Sequence, residues 1–210
     1  MPLASFLART ADEVAAFLLG AACAGCDEPG TLLCDPCRAV LAPRLVHRQT
    51  PGGLSVVAAL PFEGVAARVI RRLKEQGETT LSRPLGQALA AAVDEVGEGA
   101  LVPIPTSRAA FRRRGFRVPE LLIRRAGYVP RRLLLPARAT ADQRELGREA
   151  RARNVRGSMR VAGVRHPTSA LVVDDVTTSG ATLDEAARVL SEAGIRVVGA
   201  VTVAATPARL

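Results

Sequence analysis

The chain has 210 residues, of which 48% are hydrophobic and 23% are charged, a balance typical of a globular protein that buries a core. No uncharged apolar run reaches the ~18–20 residues that a membrane-spanning helix needs, so membrane insertion is not expected. The formal net charge is +9, but five Phe, one Tyr and no Trp argue against an aromatic stacking platform for single-stranded nucleic acid.

The positive charge is concentrated in one part of the chain. Residues 106–165 contain 17 basic and 4 acidic residues, net +13, whereas the segments before and after them each carry −2. Lys74 is the only lysine, and the guanidinium groups of the arginines suit planar or bidentate anions such as phosphate. The stretch therefore predicts a surface that meets an anionic partner, with a merely solvated surface as the alternative.

Residues 1–22 are predicted to form an amphipathic N-terminal helix. The apolar stretch Val14–Cys23 resembles the core of a signal peptide. However, Asp12 and Glu13 stand directly before it, where a signal peptide carries positive charge. We therefore expect a cytoplasmic protein.

Four cysteines follow in the pattern Cys23-x2-Cys26-x7-Cys34-x2-Cys37. Two C-x2-C pairs are typical of four thiolates around a tetrahedral Zn²⁺. Four cysteine ligands leave no open position for a substrate, so the zinc would be structural. The pattern predicts a small zinc ribbon over residues 23–45, with two disulfides or four free thiols as the alternatives.

Beyond residues 43–53, which have the composition of a linker, strands and helices are predicted to alternate. The predicted strands are Ser55–Pro61, Leu101–Pro105, Arg132–Leu135, Ala170–Val173 and Arg196–Ala204, and the predicted helices are Val65–Lys74, Leu81–Val96, Pro119–Ala126 and Leu183–Ala193. An arginine-rich loop is expected at Thr106–Arg117, and Ala139–Gly157 has no face that could be buried. The alternation predicts an α/β domain over residues 54–210, with a parallel sheet flanked by helices.

The segment Ala170–Leu183, ALVVDDVTTSGATL, carries the clearest chemical signal. A buried strand is expected to end in Asp174 and Asp175, followed by a turn rich in hydroxyls and glycine and then by a helix. Ligands of open α/β sheets bind beyond the carboxyl ends of strands, and a helix N-terminus binds phosphate. Two carboxylates would repel a phosphate unless they accept hydrogen bonds from something else, such as ribose hydroxyls. The pattern therefore predicts a sugar-phosphate site, with simple helix capping as the alternative.

Other familiar sites are excluded by the sequence. The chain contains no G-x-x-x-x-G-K-[ST] and no G-x-G-x-x-G after a strand, so neither a P-loop nor a dinucleotide-binding fingerprint is present. The only histidines are His47 and His166, and both lie in linker-like sequence. A Ser-His-Asp arrangement is therefore not expected.

The segment Asp174–Thr182 resembles the phosphoribosyl-pyrophosphate (PRPP) loop of type I phosphoribosyltransferases. The chain from Cys23 to about Ala205 resembles the ComF family, which places a four-cysteine zinc ribbon before such a domain. Further matching elements are Leu73-Lys74 with Gly77, Val102–Pro105, Arg114-Gly115-Phe116, and the set Gln143, Leu146, Arg151 and Asn154-Val155. Three positions depart from the family pattern: Arg117 stands where Asn is usual, Val118 where Gln is common, and Ser179 in place of the second Thr of the loop.

The resemblance implies a type I phosphoribosyltransferase fold and Mg²⁺ bound together with PRPP. It assigns PRPP binding to Asp174, Asp175, Val176, Thr177, Thr178, Ser179, Gly180, Ala181 and Thr182. It also implies candidates for pyrophosphate contact or for a hood over the site, which are Lys74, Arg112, Arg113, Arg114, Gly115, Gln143, Arg144, Arg151 and Asn154.

Two functions follow from these expectations. The first is Mg²⁺-dependent transfer of phosphoribosyl from PRPP to an unidentified acceptor. The alternative is a non-catalytic accessory protein that binds single-stranded DNA through its arginine-rich face and zinc ribbon, since the family is associated with DNA uptake by the competence machinery. A purine-salvage enzyme is a weaker interpretation, because no base-binding segment is recognisable.

Overall fold

A computed structural model describes residues 21–137, 155–163 and 167–207 of the chain. The helices are α1 (Asp35–Val40), α2 (Gly64–Glu75), α3 (Ser82–Val96), α4 (Arg108–Arg114), α5 (Val118–Arg125) and α6 (Ala181–Glu192). The strands are β1 (Val46–Gln49), β2 (Ser55–Pro61), β3 (Ala100–Pro103), β4 (Leu134–Pro136), β5 (Met159–Val161), β6 (Ser169–Thr177) and β7 (Arg196–Ala205). The predicted N-terminal helix over residues 1–22 falls almost wholly outside the described residues.

Within the described ranges, five strands form one sheet in the order β1-β2-β7-β6-β3. β1 pairs with β2 antiparallel, and the other neighbours are all parallel. β4 and β5 form a separate antiparallel ribbon. The predicted α/β architecture, a mostly parallel sheet flanked by helices, is confirmed.

Alternating residues of the central strand β6 face two different layers of the core. Leu171 and Val173 pack with apolar residues of α2, α3 and α5, whereas Val172 packs with Leu183 and Leu190 of α6. Because successive side chains of a strand point to opposite faces, a strand between two helical layers is apolar on both sides. This explains the uninterrupted apolar run before Asp174.

Two segments differ from their predicted structure. Val46–Gln49, assigned to a linker, forms β1, because its backbone pairs with β2 although most of its side chains are polar. Thr106–Arg117, expected to be a loop, contains α4. The Ser107 hydroxyl caps this helix by accepting the Ala110 N–H at 3.2 Å, and Gly115 ends it with a φ of 78°. No residue of α4 is buried, so it lacks the apolar periodicity that a sequence pattern detects.

Strand β6 is longer than expected. It continues through the acidic pair to Thr177, because β7 extends alongside it and pairs Val176 with Ala204 and Thr177 with Ala205. Strand β5 was not predicted, and the strand predicted at Arg132–Leu135 begins later, at Leu134. In the part of the chain described here, no helix has both the length and the apolar character to cross a membrane.

Candidate functional site

The four cysteine sulfurs lie together. All four Sγ atoms are within 4.8 Å of one another, and Cys34 Sγ is 3.5 Å from that of Cys23 and 3.6 Å from that of Cys26. A tetrahedral Zn²⁺ with Zn–S bonds of about 2.3 Å separates its sulfurs by about 3.8 Å. The cluster therefore fits the zinc site predicted from the spacing, and these four residues could hold the ion.

The environment of the cluster shifts the pKa values of Cys23 and Cys37 in opposite directions. Burial opposes ionisation of Cys23, but the backbone N–H groups of Cys34 and Gly25, at 3.3 and 3.4 Å, outweigh burial and lower the pKa of Cys23 to about 6. In contrast, burial and the neighbouring sulfurs raise the pKa of Cys37. Crowded thiols that resist joint ionisation are what a divalent cation would stabilise as thiolates.

The cysteine segment is docked on α2. Asp27, at the turn between the first cysteine pair and the rest of the ribbon, forms ion pairs with Arg68 and Arg72. Arg72 also donates to the carbonyl of Ala22 at 3.3 Å. The cysteine segment therefore contacts the helix whose last turn carries Lys74.

The hydroxyl-rich turn lies between β6 and α6. Thr178 and Ser179 are exposed, whereas Thr177 and Gly180 are buried. The Ser179 hydroxyl accepts the Ala181 N–H at 3.5 Å, and helix α6 begins at Ala181. The N–H groups of a first helical turn have no intrahelical partners, so this turn presents backbone and hydroxyl donors in one place.

The acidic pair lies inside β6 rather than after it, and its two side chains face opposite sides of the sheet. Asp175 follows Leu171 and Val173 toward the layer that contains α2, and Asp174 follows Val172 toward the layer of α6. Asp174 Oδ1 accepts the Asp175 N–H at 2.8 Å. Burial, and next the Asp175 charge, raise the pKa of Asp174 to about 8. The two carboxyl groups thus differ in environment, and the raised pKa of Asp174 favours its protonated form at neutral pH.

Lys74 is brought to Asp175 from a distant part of the chain. Its Nζ lies 3.1 Å from both carboxylate oxygens, and the Asp175 side chain is only 11% exposed. Arg114, at the end of α4, donates from Nε to the Lys74 carbonyl at 2.7 Å. Three residues named from the sequence, Lys74, Arg114 and Asp175, therefore form one connected group.

The other arginine candidates are arranged differently. Arg112 and Arg113 are exposed on α4. Arg117 stacks on the Phe111 ring, 4.4 Å from its centroid, and lies 3.6 Å from the buried carboxylate of Glu120. Arg117 thus has a structural role that an Asn at this position would not have. Gln143, Arg144, Arg151 and Asn154 lie outside the described residues.

Sequence reasoning missed the contact between the β1–β2 turn and this site. The Thr50 hydroxyl donates to Asp184 in the first turn of α6, and the Gly52 N–H donates to the same carboxylate at 3.0 Å. A Cβ on Gly180 would lie 2.7 Å from Thr50 Cγ2. The sequence Thr-Pro-Gly-Gly at 50–53 signals a tight turn, but nothing in it indicates a partner more than a hundred residues away.

A scan against protein-family models finds no match to this chain, and no curated protein matches it. Among solved structures, the crystal structure of orotate phosphoribosyltransferase from Aeropyrum pernix aligns with 16% identity and a TM-score of 0.35, over 79% of this chain and 79% of that chain. The structure of Leishmania donovani UMP synthase aligns with 17% identity and a TM-score of 0.37, over 80% of this chain and 30% of that chain. Similarity at this level does not establish a substrate or an activity, which must be inferred from the chain's own residues.

Proposed function

We propose that this chain is a PRPP-binding protein of the phosphoribosyltransferase type, with a ComF-like arrangement of a zinc ribbon at 23–45 and a catalytic domain at 54–210. The observation that carries the proposal is the group formed by the β6–α6 turn, the acidic pair and Lys74. The turn offers donors for a 5′-phosphate. The carboxylate of Asp175 and the protonated carboxyl group of Asp174 offer oxygens that accept hydrogen bonds from ribose hydroxyls.

Lys74 would exchange its partner when substrate binds. Its ammonium neutralises Asp175 at 3.1 Å, and it lies on the end of a helix beside Arg114. When the ribose hydroxyls donate to Asp175, Lys74 is free to turn toward the pyrophosphate. A flexible point charge suits that exchange better than a planar guanidinium does.

The reaction would break the bond from C1′ to pyrophosphate and form a bond from C1′ to a nucleophilic acceptor, which gives its proton to solvent. The developing cation at C1′ resembles that of glycoside hydrolysis. The leaving pyrophosphate gains negative charge, which Lys74 and the arginines at the end of α4 would stabilise. Mg²⁺, which prefers oxygen ligands and binds largely through substrate phosphates, would neutralise further charge on the pyrophosphate when bound. The acceptor is not defined by these residues.

Calorimetric titration of the zinc-loaded protein with PRPP, with and without Mg²⁺, tests the proposal. We expect Mg²⁺-dependent binding that is lost in the Asp174→Asn/Asp175→Asn variant, while its zinc content stays unchanged. The matched control is Glu95→Gln on α3, a half-exposed residue beside His47. It removes one negative charge, as the β6 variant does at neutral pH, where Asp174 is mostly protonated. Normal PRPP binding by the β6 variant would contradict the site assignment.

A second candidate function rests on the exposed face of α4. Arg108, Arg112 and Arg113 are all exposed there, as a surface for a polyanion requires. Single-stranded DNA bound by phosphate contacts would dissociate steeply with rising salt, and a role in DNA uptake would use this surface. The same β6 variant separates the two functions, because removal of negative charge should leave DNA binding intact or strengthen it.

A further inference from the structure

A cavity of about 440 Å³ lies between the cysteine segment and the first turns of α3, and none of the residues proposed for PRPP is among its described lining residues. One wall is residues 31–35, the stretch that runs into the second cysteine pair, together with Arg38. The other wall is residues 79–81, 83 and 84, where α3 begins, together with Arg125 of α5. A cavity of this size accommodates a small organic molecule.

The polar lining is mainly cationic. Arg38, Arg83 and Arg125 contribute three guanidinium groups, and Asp35 is the only acidic residue among the described lining residues. The carboxylate of Asp35 lies 4.0 Å from the guanidinium group of Arg38 and forms an ion pair with it. Arg83 is exposed and makes no hydrogen bond or ion pair with any residue that the structure describes. The described lining residues therefore carry a net positive charge.

Arg125 is hydrogen-bonded to the start of α3. Its Nε donates to the Ser82 hydroxyl at 3.3 Å, and this hydroxyl donates in turn to the Thr79 carbonyl at 2.5 Å. Gly86 lets the Arg125 backbone approach α3 closely, because a Cβ on Gly86 would lie 2.7 Å from the Arg125 carbonyl carbon. Its terminal nitrogens remain as donors, and the hydrogen bond at Nε restricts the side chain, which lowers the entropy lost on binding an anion.

The lining also has an apolar part and hydroxyl donors. Leu32, Leu81 and Pro84 provide apolar surface, and Thr79 and Thr80 contribute hydroxyls. Guanidinium groups bind phosphate oxygens in a bidentate manner, and the apolar surface suits a carbon skeleton. We propose that this cavity is a second ligand site, separate from the PRPP site, for a small phosphate monoester with an apolar body.

Titration with phenyl phosphate tests this inference. Inorganic phosphate and phenol serve as separate probes of the cationic and the apolar part of the cavity lining. We expect one phenyl phosphate site on the full chain, which Arg83→Gln weakens by about tenfold or more, the size of one lost charge-assisted contact. Arg124→Gln is the matched control, because Arg124 is the exposed neighbour of Arg125 on α5 and does not line the cavity. The control should keep the affinity within about twofold, since solvent and salt screen an exposed charge that does not line the cavity.

Three results would overturn the inference. The first is no measurable binding of phenyl phosphate, and the second is an equal loss of phenyl phosphate affinity in Arg83→Gln and Arg124→Gln. The third is a loss of phenyl phosphate affinity in Gly180→Ala but not in Arg83→Gln. The last would locate the phosphate at the β6–α6 turn. No arm of the titration contains PRPP or Mg²⁺. A failure of the proposed function, seen as absent PRPP binding, is therefore distinguishable from a failure at this cavity.

Discussion

Replacement of Gly180 by alanine tests how tightly the turn before α6 is packed against the rest of the protein. Gly180 has a φ of 79°, and an added Cβ would lie 2.7 Å from Thr50 Cγ2 and 2.9 Å from Thr50 Cβ. The left-handed backbone alone costs about 1–2 kcal/mol for a residue with a Cβ. Displacement of Thr50 would also weaken its hydrogen bonds to Asp184 and Leu54, a further loss of about 1–2 kcal/mol.

The same helix provides the control for this experiment. Gly194, just after α6, has a φ of 78° and nothing within 4 Å of its would-be Cβ. Gly194→Ala should therefore show only the backbone cost. Denaturant unfolding of both variants, analysed by linear extrapolation, should give a free energy of unfolding about 1–2 kcal/mol lower for Gly180→Ala than for Gly194→Ala.

A second substitution tests whether the contact with Thr50 causes the destabilisation by Gly180→Ala. Thr50→Ser removes Cγ2 but keeps the hydroxyl that donates to Asp184, so it should restore part of the stability lost in Gly180→Ala. PRPP affinity should fall in Gly180→Ala and hold in Gly194→Ala. Equal destabilisation by the two glycine variants, with no rescue by Thr50→Ser, would refute the contact with Thr50 as the reason.

Three further predictions concern the described residues. The pKa of Asp174 is about 8 in the folded protein, against an ordinary value of 3.8, so the folded state keeps a proton that the unfolded state releases. Between pH 5.5 and 7.5, wild type should therefore lose about 2–3 kcal/mol of unfolding free energy relative to Asp174→Asn, and parallel pH curves would refute the assignment. The Glu185 side chain is 4% exposed, pairs with Arg188 and accepts the Gly157 N–H at 2.7 Å, so Glu185→Gln should lower the free energy of unfolding by about 1–3 kcal/mol. Glu192, bound to the same arginine but 64% exposed, should lose under ~0.5 kcal/mol on substitution by Gln, and a similar loss in both variants would contradict the role of burial. Reconstitution with Co²⁺ should give the absorption of a tetrahedral thiolate site with one ion per chain, and Cys34→Ser should abolish it.

The parts of the protein that could be predicted from sequence are those in which the interacting residues are near one another along the chain. The four cysteines occupy residues 23–37, and short turns bring their sulfurs together. The β6–turn–α6 segment is continuous, so its apolar run and its hydroxyls already define a strand, a turn and a helix start. Helices with a buried face, such as α2 and α3, are visible through their apolar spacing.

Elements without a buried face were not predictable in this way. Helix α4 depends on its Ser107 cap and on the glycine that ends it, which are weak signals without apolar periodicity. Strand β1 depends on backbone pairing with β2, which does not require apolar side chains at an edge. The end of β6 was also set by a partner, because β7 supplies hydrogen bonds up to Ala205.

The connected group at the site was decided by the tertiary structure alone. Lys74 and Asp175 are 101 residues apart in sequence, and Thr50 and Asp184 are 134 apart. Their contacts exist because the sheet and its helices place the end of α2, the end of α4 and the β1–β2 turn around β6 and the start of α6. The sequence by itself determined which chemical groups this protein carries and where its candidate metal and phosphate motifs lie. The packing of elements distant along the chain determined which charges meet, because attraction between two side chains depends on their separation in space and not along the chain.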